Sequence, residues 1–256
     1  MIESQVQNLS HELRLWGVHE CFAARAKEAV AQGLHPLEFL NLVLEDERLR
    51  RKDRFAKSLK SRAKFRLDAH LADWDQTYDR GVSRARLKEL VGLGFCKNKE
   101  NLVILGRTGE GKTHLAISLG RKICDESMSV AFLPVNLICD EVLAAKASGK
   151  YLGYLSRLHT TKVLILDDFG LRSYSHEEAM MFIELLEGRA KKGPVIVTSQ
   201  VDPKGWLKLF EDPVVGEAIV DRLINPSQKV NLKGGSYRFK LGTTEHKEVA
   251  QKEAVQ

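Results

Sequence analysis

Apolar positions along this chain follow two different periods. Up to about residue 66, Leu9, Leu13 and Trp16, and then Leu37, Leu40, Val43 and Leu44, recur at three- and four-residue steps. That spacing predicts amphipathic helices, with Pro36 placed to open the second at its first turn. Stripes of this kind most simply form a small helical core. From about residue 68 onward, short strand-like runs alternate with helix-like stretches. The strand candidates are Leu102–Leu105, Val130–Leu133, Val163–Leu166, Val195–Thr198 and Lys229–Leu232. Strands that are aliphatic on both faces belong to a parallel sheet covered by helices on each side, so the alternation predicts a doubly wound α/β domain. The expected organisation is a small α-helical domain over residues 1–67, an α/β domain over 68–241, and a polar, frayed tail over 242–256. At 256 residues the chain has room for both cores.

Charge changes the picture of the helical part. Arg48 to Arg66 holds ten Lys or Arg against the single Asp53, a charge of +9, whereas the whole chain carries +6, so the remainder sums to −3. Leu49, Phe55, Leu59 and Ala63 form only a thin apolar stripe there, with cations around the rest. A solvated helix face usually mixes signs. A face of one sign reads as a footprint for a nucleic-acid backbone, with Arg50, Arg51, Arg54 and Lys57 as candidate contacts and little sequence readout. The alternative is a linker helix paired with its own acidic Glu45-Asp46-Glu47.

Other classes are excluded. No apolar stretch approaches the ~18 residues of a membrane span, and the polar start Met1-Ile-Glu-Ser-Gln is not a signal peptide, so a cytoplasmic protein without a membrane partner is expected. Cys21, Cys96, Cys124 and Cys139 lack metal-ligand spacing, and the eight histidines form no cluster. Neither zinc nor a disulfide is expected.

The most specific chemistry lies at Gly106-Arg107-Thr108-Gly109-Glu110-Gly111-Lys112-Thr113, which fills the phosphate-loop pattern G-x-x-x-x-G-K-[ST] without a mismatch. Its flanks suit it, with a strand ending at Leu105 and a helix predicted over Thr113 to Glu126. Glycines let backbone N–H groups curl around phosphates, and the helix start adds its positive dipole end. Lys112 would reach the β- and γ-phosphates, and the Thr113 hydroxyl would hold Mg²⁺. About fifty residues on, Val163–Leu166 runs into Asp167-Asp168-Phe169-Gly170, as a Walker B strand does. Asp167 would bind Mg²⁺, and Asp168 would orient the attacking water. The D-F-G string also occurs in protein kinases, but the chain has no H-R-D loop and its phosphate loop is not G-x-G-x-x-G.

With these motifs in place the chain resembles the IstB/DnaC-type AAA+ ATPases, a family of transposition helpers and bacterial helicase loaders. The resemblance runs over most of the chain and rests on Gly106–Leu115, Val163–Gly170, Val195–Gln200, Val220–Leu223 and Gly235–Arg238. It implies a P-loop AAA+ fold and assigns further residues. Gln200 falls on the sensor 1 position, where relatives commonly carry Asn; Arg222 matches the arginine finger that completes a neighbouring subunit's site; Arg238 resembles the sensor 2 arginine. Asp168 is one methylene shorter than the usual Glu, which implies slow hydrolysis. The basic amino-terminal region is more like the transposition helper than the loader. The resemblance therefore implies an ATP- and Mg²⁺-dependent ATPase that binds duplex DNA, forms a homo-oligomer and assists a transposase. The rivals are a helicase loader and an ATP-gated adaptor that does not hydrolyse. A loader's single-stranded DNA favours stacking aromatics, and the basic segment holds only Phe55 and Phe65.

Overall fold

The structure is a computed structural model that describes residues 2–75, 79–189 and 192–235. It divides into two compact units: Met1–Leu59 with Asp125–Ser127, and Lys60–Cys124 with the chain from Met128 onward.

In the amino-terminal part the chain forms α1 (Ile2–Glu12), α2 (Trp16–Gln32) and α3 (Pro36–Ala63). Helices α2 and α3 meet at a close approach, where a Cβ on Gly17 would lie 2.5 Å from the Glu47 Cα. The Glu47 carboxylate accepts hydrogen bonds from the backbone N–H groups of Gly17 (2.6 Å) and Val18 (3.3 Å), capping the first turn of α2. Arg25 of α2 holds Asp46 of α3 through Nε and Nη2 at 2.8 and 3.0 Å. The expected apolar core is mostly not there. Val18 and Val43 are buried and the rings of Phe22 and Phe39 meet edge-on at 5.8 Å, but Leu9, Leu13, Leu37, Leu40 and Leu44 are exposed. The stripe on the basic stretch of α3 also shifts: Ala56, Leu59 and Ala63 are buried, while Leu49 and Phe55 face water.

The second unit contains α4 (Arg84–Val91), α5 (Gly94–Asn98), β1 (Asn101–Leu105), α6 (Lys112–Asp125), β2 (Val130–Pro134), α7 (Val135–Ala147), α8 (Tyr151–Thr160), β3 (Val163–Phe169), α9 (His176–Arg189), β4 (Val195–Ser199), α10 (Pro203–Trp206), α11 (Pro213–Ile224) and β5 (Ser227–Asn231). The strands form one sheet in the order β2-β3-β4-β1-β5, and every pairing is parallel. All five expected strands are present, each within two residues of its expected start. Leu102, Ile104, Leu164, Ile165, Leu166, Ile196 and Val197 are fully buried, as residues of a sheet covered on both faces must be. Asn101 closes the lower edge: its amide donates to the carbonyls of Arg222 and Leu223 at the end of α11, and its Oδ1 accepts the Val195 N–H of β4. At the end of β3, Phe169 packs among Tyr174, Phe182 and Trp206 and anchors the strand.

The strand order places the site. Strand β4 lies between β1, which feeds the phosphate loop, and β3, which ends in the paired aspartates. The carboxyl ends of all three open on the same edge, where ligands of open α/β sheets bind.

Candidate nucleotide site

The loop between β1 and α6 keeps its shape through its own residues. Glu110 turns inward and is buried, and its carboxylate accepts the Arg107 N–H at 2.5 Å. That carboxylate lies 2.6 Å from where a Gly106 Cβ would stand, so a side chain at 106 would push Glu110 off the Arg107 N–H. Gly111 has φ +95°, and a Cβ there would meet Arg80 Nη1 at 2.8 Å. Lys112 opens α6, is buried, and donates from Nζ to the Arg107 carbonyl at 2.9 Å, spanning the loop. Arg107 and Thr108 are exposed at the loop's tip.

Strand β3 bulges where it reaches this loop. Leu166 pairs with Val197 and Phe169 with Ser199, so Asp167 and Asp168 together oppose the single residue Thr198. A bulge re-aims side chains beside a site, and here it puts Asp168 at φ +61°, in the left-handed region. The Thr198 hydroxyl fills the bulge, accepting the Asp168 N–H at 2.9 Å and donating to Asp167 Oδ1 at 2.7 Å. Thr113 Oγ1 donates to the same Oδ1 at 2.9 Å. Asp167 is fully buried, and burial pushes its carboxyl up from the ordinary range, against the pull of the Thr198 bond. Its Oδ2 has no aligned hydrogen-bond donor but faces Arg66 Nη2 at 2.7 Å. A buried carboxylate oxygen lacking a donor, beside a Thr hydroxyl at the start of the phosphate-loop helix, is a donor set that fits Mg²⁺.

The structure thus brings together Thr113, Asp167 and Asp168, and adds Gln200, whose Oε1 accepts the Thr108 hydroxyl at 2.7 Å. Arg222 lies elsewhere, on α11, where its guanidinium donates to Glu187 of α9 and to the Ala218 carbonyl, at 2.8 and 2.9 Å. Arg238 falls outside the described residues. Of the basic candidates on α3, Arg50 pairs with Glu20 and Arg51 with Glu47, and Arg54 and Lys57 are exposed. The acidic triplet beside them is divided, with Asp46 on Arg25, Glu47 on α2 and Arg51, and Glu45 on Arg48.

Thr198, Arg66, Trp74 and Arg80 were not foreseen. The Arg80 guanidinium stacks 4.1 Å over the Trp74 ring, and Trp74 lies 5.9 Å from His114 of α6, forming a wall behind Gly111. Desolvation, with Arg80 close by, lowers the His114 pKa.

Residues 8–244 match the family described as IstB-like ATP binding protein. The chain belongs to this family. An ATP-binding protein of insertion sequence IS21 from Pseudomonas aeruginosa is 36% identical over 214 residues, 84% of this chain and 81% of the relative. An insertion-sequence ATP-binding protein of Mycobacterium tuberculosis is 32% identical over 234 residues, 91% and 93% of the two chains. Among solved structures, DnaI gives a TM-score of 0.56 at 22% identity, covering 66% of this chain and 90% of that one. The DnaC helicase loader gives 0.53 at 22% identity, covering 67% of this chain and all of that one. These likenesses show the fold, a parallel α/β domain with a phosphate loop, and the family is one of ATP-binding proteins.

Proposed function

We propose that this IstB-family protein is a DNA-binding ATPase that assembles as a homo-oligomer on duplex DNA with ATP bound, and there recruits or activates a transposase. The observation that carries the proposal is the junction of phosphate loop and Walker B strand, where Thr113 and Thr198 both donate to the buried Asp167 and Thr198 also holds Asp168 on a strained turn. Thr113 and Asp167 would hold Mg²⁺, which when bound supplies charge neutralisation on the phosphates. Lys112 would exchange the Arg107 carbonyl for phosphate oxygens. Asp168 would orient the attacking water, and Gln200, on the Thr108 hydroxyl, would report the state of the loop to β4.

Oligomerisation rests on Arg222. Its pair with Glu187 is exposed on both sides, and such pairs contribute only about 0–1 kcal/mol, so a neighbouring subunit's nucleotide can compete for the guanidinium. Nucleotide and oligomer then become linked equilibria, with hydrolysis as the timer. Duplex DNA is supported by the one-sign cationic stretch of α3, and a transposase partner by relatives carried in insertion sequences.

The test compares duplex and single-stranded oligonucleotides of equal length at one stated salt concentration, with ATP, ADP or a non-hydrolysable analogue. ATP-dependent, duplex-preferring assembly that stimulates a cognate transposase is expected. A single-strand preference with capture of a replicative helicase would overturn the transposition reading and leave the ATPase.

A further inference from the structure

Arg66 lies within the second unit, three residues past the end of α3, and reaches into the nucleotide site. Its Nη2 approaches three oxygens: Asp167 Oδ2 at 2.7 Å, Asp168 Oδ2 at 3.1 Å and Thr113 Oγ1 at 3.2 Å. These side chains are the ones assigned above to the metal and the attacking water. Its backbone is fixed by a neighbour, because the Phe65 ring packs edge-on to Phe132 of β2, at 6.2 Å, and over Gly120 of α6. A Cβ on Gly120 would come within 2.9 Å of that ring, so the glycine makes room for the anchor. The Arg66 guanidinium also lies 5.9 Å from the Phe132 ring centroid.

We infer that Arg66 is a built-in counter-ion for the Walker B carboxylates, which a magnesium-bound nucleotide must displace before the site is complete. Two adjacent carboxylates, one wholly buried, need a positive partner, and Arg66 supplies it from the chain itself. The guanidinium and a metal ion compete for the same oxygens, so they exclude each other. Asp167 is 0% exposed whereas the Arg66 side chain is 40% exposed, so the arginine is the group that leaves, swinging into water.

The inference rests on the ATP-binding reading of the site. It makes apparent metal affinity a product of intrinsic affinity and the fraction of molecules in which Arg66 is withdrawn. The test titrates Mg²⁺ into the full-length protein with a fluorescent ATP analogue and follows binding, not turnover. Arg66→Ala should lower the Mg²⁺ midpoint by about tenfold, corresponding to a withdrawn fraction of roughly one in ten. Arg66→Lys should fall between, since it keeps charge but offers a point cation in place of a fork. Lys64→Asn removes a neighbouring cation while suiting the left-handed backbone at that position, φ 56°, and should leave the midpoint unchanged. Without nucleotide and in a chelator, Arg66→Ala should melt below the parent, which shows the counter-ion's contribution by a second readout. An unchanged or raised midpoint in Arg66→Ala, or an equal drop in Lys64→Asn, overturns the inference while parental binding keeps the ATP reading. Failure of the parent to bind the analogue at all overturns both.

Discussion

Replacing Thr198 by Val tests whether the strained Walker B turn is held by one hydroxyl. The change keeps shape and β-branching, so the fully buried side chain still fills its space. It removes the donor 2.7 Å from Asp167 Oδ1 and the acceptor 2.9 Å from the Asp168 N–H. A hydrogen bond to a charged group contributes about 1.5–3 kcal/mol, and a stranded buried N–H costs about 1–3 kcal/mol. Asp167 Oδ1 retains the Thr113 hydroxyl at 2.9 Å, which discounts the first term. We therefore expect a net loss of about 3 kcal/mol. For a domain of this size that lowers Tm by about 6–12 °C at roughly 2–4 °C per kcal/mol.

Functional consequences should follow the same geometry. Without the hydroxyl, Asp168 loses the bond that holds it at φ +61°, a conformation non-glycine residues adopt only under constraint. ATP turnover should fall by about tenfold or more, while the affinity for nucleotide without metal, which depends on the loop and Lys112, should stay within a few-fold. Thr198→Ser is the companion variant, because it keeps the hydroxyl and loses only a methyl, about 1 kcal/mol. Thermal melts and phosphate release on the two variants decide the matter. A Thr198→Val protein that melts within about 2 °C of the parent with undiminished turnover would refute the claim that the hydroxyl supports this turn.

Lys112→Ala should abolish binding of a fluorescent ATP analogue, and Arg222→Ala should bind it yet lose ATP-dependent assembly or turnover. Mixing the two variants should partly rescue ATPase activity if Arg222 serves a neighbour's site, and no rescue in mixed oligomers shown to form would return Arg222 to a surface pair with Glu187. Charge reversal at Arg50, Arg51, Arg54 and Lys57 should weaken binding to all DNA sequences alike and flatten its salt dependence, measured by fluorescence anisotropy across a salt series. Glu178, whose backbone contact caps α9, is held by the Arg172 guanidinium at a pKa of about 2. Its folded pKa is depressed, so the stability it contributes is present above the ordinary glutamate value of 4.5 and is lost as pH falls towards 2. Melting temperatures of the parent and Glu178→Gln should differ at pH 6, and the difference should shrink as pH falls from 4.5 towards 2.

What could be read ahead of the structure follows from how local each determinant is. Strands β1 to β4 announce themselves because a doubly covered strand must be aliphatic on both faces, and the phosphate loop does so because its glycines answer to backbone geometry within eight residues. Asp167 and Asp168 were legible as the polar end of an aliphatic strand. Thr198 was not, because its importance comes from the sheet order and from a bulge in β3, and neither leaves a local signature. Arg66 was hidden differently. It is one of ten cations in a stretch whose plain meaning is a surface for phosphates, and only the Phe65 anchor on Gly120 separates it from them. The helical region misled for the opposite reason. Periodicity marks which residues share a helix face, but whether that face is covered depends on neighbours, and here Glu47 on Gly17, Asp46 on Arg25 and the Phe22–Phe39 ring pair join α2 to α3 while Leu37, Leu40 and Leu44 stay exposed. A junction of that kind does not depend on burying the row of leucines. The exposed leucines of α1 and α3 are therefore positions where substitution by Gln should leave Tm nearly unchanged, unlike Leu166→Ala in the sheet, where about 2–5 kcal/mol is at stake.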